Sequence, residues 1–376
     1  MCFSSFIIAR APLPCQAPGE SAFSSAPLTF RAEFAIIEPI PNQNGRHPAM
    51  FALKKTPGKD FILLNLSDPQ LGDGEWAEGH PNRAILEGTV TELCRRVKPD
   101  LITVSGDLAW AGDDLAYDAL ADLLDSFGIP WTVMWGNHDN QGGADYIESV
   151  VKRYLTRPLC LYERGPANLG NGNFVIRIEE NGRPVEGIIV MDSHDRAPYV
   201  NEKGEESMEW AKLWPEQIAW YREQIAALKE DGCRDAALLM HIPIYAYREA
   251  HAAAEKPGID RKAITPAQAD GDEVWNPGYE SSFGVRHEGI CSYPADEGMF
   301  GAILEGGLTK TLIAGHDHVN NTVIRHRGVA FVYSLKAGAG CYWEPSLNGG
   351  TVLRITENGV GEIRHEYVDP EAFRKG

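Results

Sequence analysis

The sequence predicts an α/β fold in which parallel strands, buried by helices, bring their C-terminal ends to one rim. Three observations carry this. Apolar runs of strand length recur at residues 61–68 (FILLNLSD), 100–107 (DLITVSGD) and 131–139 (WTVMWGNHD), and each breaks off into polar side chains. Between them, residues 83–97 and 115–127 repeat apolar side chains at helical spacing and stop at Lys98-Pro99 and Gly128-Ile129-Pro130. Strands joined through helices pair in parallel, and ligands of such sheets bind beyond the strands' carboxyl ends.

The second half departs from this rhythm. Residues 173–195 read as a β-hairpin turning at Asn181-Gly182, followed by another polar exit, MDSHD. Residues 214–228 form an amphipathic helix with Pro215 in its first turn. AALLMHIP (236–243) and TLIAGHDH (311–318) are apolar strands that run into histidines, and residues 322–367 read as antiparallel strands. Residues 246–298, rich in Pro, Gly, Ala and charge, form a long excursion that could cover a site.

Length and composition fit one globular domain, expected over residues 31–376, with 43% apolar residues among 376. The opening stretch, MCFSSFIIARAPLPCQAPGESAFSS, lacks a basic n-region, and its apolar part is too short for a bilayer. Residues 1–30 are expected to be a disordered leader or an over-extended gene start, with an export signal as the alternative. No later segment is long and apolar enough for a bilayer, so a soluble protein is expected; seven scattered cysteines without a CxxC pair suggest reduced thiols and, with no clear signal, the cytoplasm. With 35 basic against 53 acidic residues the chain carries a formal charge of −18. That charge excludes a general attraction to nucleic acid or to an anionic membrane. A phosphate substrate would need a local positive centre, which bound metal would supply.

The strand exits provide the ligands for such a centre: Asp68; Asp107; Asn137, His138 and Asp139; His241; His316 and His318. Carboxylate, amide oxygen and imidazole suit divalent first-row metals, and the absence of thiolates argues against structural zinc. Two metals roughly 3.5–4 Å apart need a bridging carboxylate. Asp107, in the middle of the series, is the natural bridge. Each piece alone has a bland reading, as a turn or a satisfied core histidine; five in this order, each after an apolar run, do not.

These motifs resemble the calcineurin-like metallophosphoesterases. The matching residues are Asp68-Pro69-Gln70, Gly106-Asp107, Gly136-Asn137-His138-Asp139, His241 and Gly315-His316-Asp317-His318. Stretches such as WPEQIAWY, HIPIY and GHDHVNN look most like the purple-acid-phosphatase-related branch. The resemblance implies a four-layer α/β/β/α sandwich with two divalent metal ions (Mn, Fe or Zn) at the strand rim. It implies that Asp68 and His318 hold the first metal, that Asn137, His241 and His316 hold the second, and that Asp107 bridges. A metal-bridging hydroxide would attack phosphorus in line, His138 would serve the leaving group as acid, and Asp139 would fix the tautomer of His138. The implied activity is hydrolysis of a small-molecule or protein phosphate ester, with monoester favoured over diester and a non-catalytic scaffold as the third reading.

Two positions depart from the family pattern. Gln70 stands where the first motif has histidine. Trp110 stands where purple acid phosphatases carry a tyrosine ligand, and an indole cannot ligate, so no iron–tyrosinate colour is expected. Gln70 either ligates through its amide oxygen, holds a metal-bound water, or caps the turn. An oxygen-leaning first site favours Mn²⁺ or Fe²⁺ over Zn²⁺. Around the rim, Arg286 is the preferred grip for a phosphate oxygen, and His194 is a second substrate contact. Asp73, His80, Asn82 and Asn140 are further rim candidates. Trp275, Tyr279, Phe283 and Tyr293 either wall a pocket or, as the preferred reading, form a small core beneath the excursion.

Overall fold

The first motif strand is built as the sequence suggests, and the elements around it explain why. A computed structural model describes residues 51–270 and 273–374, so the leader expected at 1–30 lies outside the described residues. β1 (Phe51–Lys54) precedes β2 (Phe61–Leu66), α1 (Pro81–Val97), β3 (Leu101–Ser105), α2 (Asp114–Ser126) and β4 (Trp131–Met134). Helix α1 starts where Pro81 follows the cap His80, whose Nδ1 accepts from the Asn82 N–H, and ends at Lys98 in a left-handed conformation before Pro99. Helix α2 is capped by Asp113, which accepts from the Ala116 N–H at 3.1 Å.

Residues 131–139 are not strand throughout. β4 stops at Met134, and Asn137–Asn140 wind into a single helical turn, α3, because the Asp139 carboxylate accepts from the Gly136 N–H at 2.7 Å. Then follow α4 (Gly143–Tyr154), β5 (Phe174–Glu180) and β6 (Arg183–Val190), the last two joined at Asn181 and Gly182, both at positive φ as a two-residue hairpin turn requires. β7 (Arg196–Val200) and β8 (Glu206–Trp210) form a separate two-stranded hairpin. The rest comprises α5 (Pro215–Glu230), β9 (Ala236–Leu239), α6 (Ala246–Ala254), α7 (Met299–Gly306), β10 (Thr309–Ala314), β11 (Val323–His326), β12 (Val329–Tyr333), β13 (Gly349–Thr356) and β14 (Gly359–Tyr367).

Two mixed sheets result, ordered β14-β13-β2-β3-β4 and β1-β5-β6-β9-β10-β12-β11. β2, β3 and β4 are parallel, as are β6, β9, β10 and β12, while β13, β14, β5 and β11 add antiparallel pairings. Period-2 alternation shows how the second sheet is covered. Ile188, Ala237, Leu239, Ile313 and Val332 join the buried cluster of the first sheet, where register places Leu63 and Leu101 on one face. Their neighbours Ile189, Leu238, Leu312 and Phe331 pack with Tyr221 and Ile225 of α5, Tyr247 of α6 and Ile303 of α7. The first sheet is backed by α1 and α2 through Leu86, Val90, Leu120 and Leu124. The layers are helix, sheet, sheet, helix. Among the described residues no helix is long and apolar enough to cross a membrane.

The excursion at 246–298 opens with α6 and continues largely as pinned loop. Its aromatic residues are structural: Trp275 is buried with Nε1–H on the Ala269 carbonyl (2.9 Å), Tyr279 bonds His326 (2.8 Å), and Tyr293 donates to the Pro198 carbonyl (3.1 Å). Phe283 forms a backbone bridge with Val323.

One buried group makes this core acid-sensitive. His251, 3% exposed, donates from Nδ1 to the Tyr247 carbonyl and faces the Thr322 hydroxyl with Nε2, both at 2.8 Å. Burial, against the opposing pull of Glu255, lowers its pKa from 6.5 to about 4. The unfolded chain takes up a proton near pH 6.5 that the fold refuses until about 4, so the stability present above pH 6.5 is lost as pH falls through that window. The expected loss is on the order of 2–3 kcal/mol. Urea midpoints at pH 7 and 4.5 should show it, and His251→Gln should flatten the difference.

Candidate metal centre

The ligand residues reach one point because their strands end with a backbone reversal. Asp68 after β2, Asp107 after β3 and His316 after β10 all have positive φ (51°, 47° and 72°). For a non-glycine residue that conformation costs about 1–3 kcal/mol, less for aspartate, and such strain gathers at functional sites. Two glycines of the motifs are there for lack of room. Gly106 has φ +80°, and a Cβ on it would sit 2.6 Å from His241 Nδ1; a Cβ on Gly136 would run into the Asp107 carboxylate.

Asp107, His241 and His316 form one buried triad of potential metal-binding atoms, and Asp68, Asp107 and His318 a second, each with its atoms within 4.8 Å of one another. Asp107 belongs to both, so the two triads define an adjacent pair of divalent-metal positions. A third grouping, Cys291, His316 and Asp317, overlaps the first. Its Asp317 carboxylate is already taken by the Tyr333 hydroxyl (2.6 Å) and the Cys291 N–H.

Hydrogen bonding aims the imidazoles. His241 Nδ1 donates to the Ser105 carbonyl at 2.7 Å, which turns Nε2 toward Asp107 Oδ2 (3.3 Å) and Asn137 Oδ1 (3.1 Å). His318 Nδ1 donates to the Tyr342 carbonyl at 2.8 Å and leaves Nε2 facing Asp68 Oδ1 at 3.3 Å. A carbonyl holding one ring nitrogen while the other points at a metal position is the usual second-sphere arrangement. Lone pairs thus confront lone pairs, and only a proton or a cation relieves that.

The electrostatics say the same. Burial opposes charge on His241, but Asp107 and Asp68 raise its pKa to about 10. Burial would raise Asp68 too, yet His318, His241 and Lys336 hold it well below the usual carboxylate range. Burial and the nearby His241 lower His316 to about 3, which leaves a neutral imidazole able to ligate.

Unpartnered buried atoms test the fit directly. Asp68 Oδ1, His316 Nε2, Asn137 Nδ2 and both amide atoms of Gln70 have no hydrogen-bond partner among the described residues. Leaving such a group unpaired costs about 1–3 kcal/mol. Gln70 is 0% exposed, and its backbone N–H bonds the Asp107 carbonyl at 3.1 Å, which ties its main chain to the loop that carries Asp107. No hydrogen bond links its side-chain amide to the turn, which removes the capping role. The donor set fits two divalent ions.

His138 stands beside this set. Its N–H donates to Asp107 Oδ1 (2.9 Å), its Nδ1 meets Gln141 Oε1 (3.1 Å), and its ring lies 4.0 Å from the Trp110 ring, centroid to centroid. Gln141 also bonds Asp195. Asp139 does not pair with His138. Its buried carboxylate accepts from the N–H groups of Gly136, Leu108 and Ala109 and from the Tyr117 hydroxyl at 2.7 Å, and so ties the two motif loops together.

The two substrate candidates are committed elsewhere. Arg286 gives its planar fork to Glu255 at 2.9 and 2.8 Å. His194 meets Gln217 with Nε2 (2.8 Å) and Asp192 with Nδ1 (3.4 Å), while its ring stacks on Trp214. Asn140 binds Asp192, and His80 and Asn82 organise the loop before α1. The sequence reading missed Arg196. Its guanidinium lies 3.4 Å over the Trp210 ring, whose neighbour at 4.3 Å is the His316 imidazole.

A family model described as calcineurin-like phosphoesterase matches residues 63–320, and the chain belongs to that family. It is 26% identical over 286 residues to "Probable inactive purple acid phosphatase 14" of Arabidopsis thaliana, covering 69% of this chain and 63% of that protein. It is 28% identical over 342 residues to "Phosphatase DCR2" of Saccharomyces cerevisiae, covering 81% of this chain and 52% of that protein. The chain thus spans between half and two thirds of the length of these two relatives. A dimetal phosphatase from Danio rerio shares the fold, with a TM-score of 0.52 at 14% identity over 81% of this chain and 98% of that one.

Gln70 is the position to probe. Gln70→Leu deletes an unsatisfied buried amide, and in chelator it should stabilise the protein by about 1 kcal/mol in urea melts. Gln70→His should instead tighten binding of the more weakly held of two Mn²⁺ ions, read by calorimetric titration.

Proposed function

We propose that the protein is a dinuclear metal-dependent phosphoesterase acting on phosphate monoesters, in the purple-acid-phosphatase-related branch of its family. The observation that carries this is the sharing of Asp107 between two buried triads. In this reading Asp68, Gln70, Asp107 and His318 hold one metal, and Asp107, Asn137, His241 and His316 the other. Bound there, the pair supplies positive charge to the phosphoryl oxygens and acidifies water at neutral pH. Mn²⁺ or Fe²⁺ suits the oxygen-leaning first position better than Zn²⁺.

The chain's own residues do the rest. His138 gives a proton from Nε2 to the departing alkoxide, while its Nδ1–H stays on Gln141 and fixes the ring. Asp139 keeps the two motif loops in register from behind. Arg196, stacked on Trp210 beside His316, takes the phosphate-gripping role for which the sequence offered Arg286. The substrate is a small-molecule or protein phosphate ester rather than a nucleic acid, in keeping with the charge of −18. The free thiols of the five described cysteines favour the cytoplasm, and residues 31–376 are read as one domain.

Gln70, in place of an imidazole, supports a second reading, a non-catalytic scaffold on the same fold. One assay separates the two. Metal-stripped protein is reloaded with Mn²⁺, Fe²⁺ or Zn²⁺ and offered a chromogenic phosphomonoester and its diester. Metal-dependent turnover, greater for the monoester and reduced about a thousandfold in Asp107→Asn, is the expected result. No turnover with any metal would leave the scaffold. Arg196→Ala should raise KM about tenfold with kcat changed far less.

A further inference from the structure

Beside the metal centre lies an open cleft of about 760 Å³, an ordinary size for a small-molecule site. The loop after β2 and the loop into α2 wall it with Trp76, Trp110, Leu115, Asp73 and Asp113, and Cys341 also lines it. Its position, its surface and its charge together define an occupant.

The position is set by the two ends. Trp110 shares its ring with His138 at 4.0 Å, and the Ala111 N–H donates to the His138 carbonyl at 3.3 Å. Next to Cys341, Tyr342 stacks on His318 at 4.3 Å and accepts from its Nδ1–H. The cleft therefore runs from the candidate acid toward a candidate ligand of the first metal. A leaving oxygen has to lie within reach of the acid, and whatever that oxygen carries falls into this cleft. In the reading above the phosphate grip lies elsewhere, with Arg196 and Trp210 beside His316.

The surface is largely apolar. Leu115 is 61% exposed, a large hydrophobe left uncovered in the first turn of α2 beside the Trp110 indole. The charge is one-sided. Among the lining residues there is no Lys, Arg or His, while Asp73 and Asp113 are both present. An anionic group entering here would find no partner and two repelling carboxylates.

We infer that this cleft is the leaving-group site, and that it selects phosphate monoesters of uncharged aromatic alcohols over those whose leaving group is anionic. This rests on the hydrolytic reading above, so the test includes a readout that needs no turnover. Binding of 2-naphthylmethanol and of 2-naphthoate is measured by calorimetry on the Mn²⁺-loaded protein and on Leu115→Asp, which alters only an exposed position. The alcohol should bind about tenfold more tightly than the carboxylate, and Leu115→Asp should weaken it several-fold. In parallel, 2-naphthylmethyl phosphate and ethyl phosphate, both esters of primary alcohols, are compared as substrates. The aromatic ester should lead by about tenfold in kcat/KM, mostly through KM, with the lead shrinking in Leu115→Asp. An alcohol that binds no better than naphthoate, or binding indifferent to Leu115→Asp, overturns the assignment. Alcohol binding without turnover of either ester would count against the hydrolytic reading and not against the cleft.

Discussion

The structure depends on one buried carboxylate. Asp107, 1% exposed, meets His241 with Oδ2 and the His138 N–H with Oδ1, while its carbonyl accepts from Gln70. Those three partners leave β9, β4 and β2, so one residue gathers the exits of strands from both sheets. A carboxylate buried this deeply is tolerated only with opposite charge and donors around it. The left-handed backbone at Asp68, Asp107 and His316, and the missing side chains at Gly106 and Gly136, are what that gathering requires.

Second-sphere contacts then set the direction of each group. Ser105 and Tyr342 carbonyls orient His241 and His318, and Gln141 orients His138. Asp139 shows why a neighbour in sequence is a poor guide to a partner in space. In a tight helical turn, its side chain folds back to the Gly136 N–H and across to the Leu108 and Ala109 N–H groups, away from His138. The result is a centre with two unlike flanks. One carries a guanidinium stacked on an indole, the other an apolar, acidic cleft that begins at Trp110.

Much of this was legible in the chain. Motif residues that follow apolar runs sit where strands end, and the alternation of strand and helix fixed β2, β3 and β4 as parallel neighbours. The division of strands between two sheets was not readable from spacing; the family resemblance supplied it. Arg286 looked available because nothing in the sequence marks Glu255, 31 residues earlier, as its partner. His194 looked free to meet substrate because Asp192, Gln217 and Trp214 engage it only in the folded chain. Arg196 was hidden by the weak pattern of β7 and β8, whose largely exposed residues give no continuous apolar signal. Long-range partners and short edge hairpins are where a linear pattern carries least information.

The central claim is that one aspartate organises two metal positions. The direct measurement is the number of Mn²⁺ ions retained per chain after chelation, reloading and desalting, with folding checked by circular dichroism. Two ions for the unaltered protein, one for His318→Ala and none for Asp107→Ala is the expected result. A single ion in the unaltered protein, or two ions surviving Asp107→Ala, would contradict it.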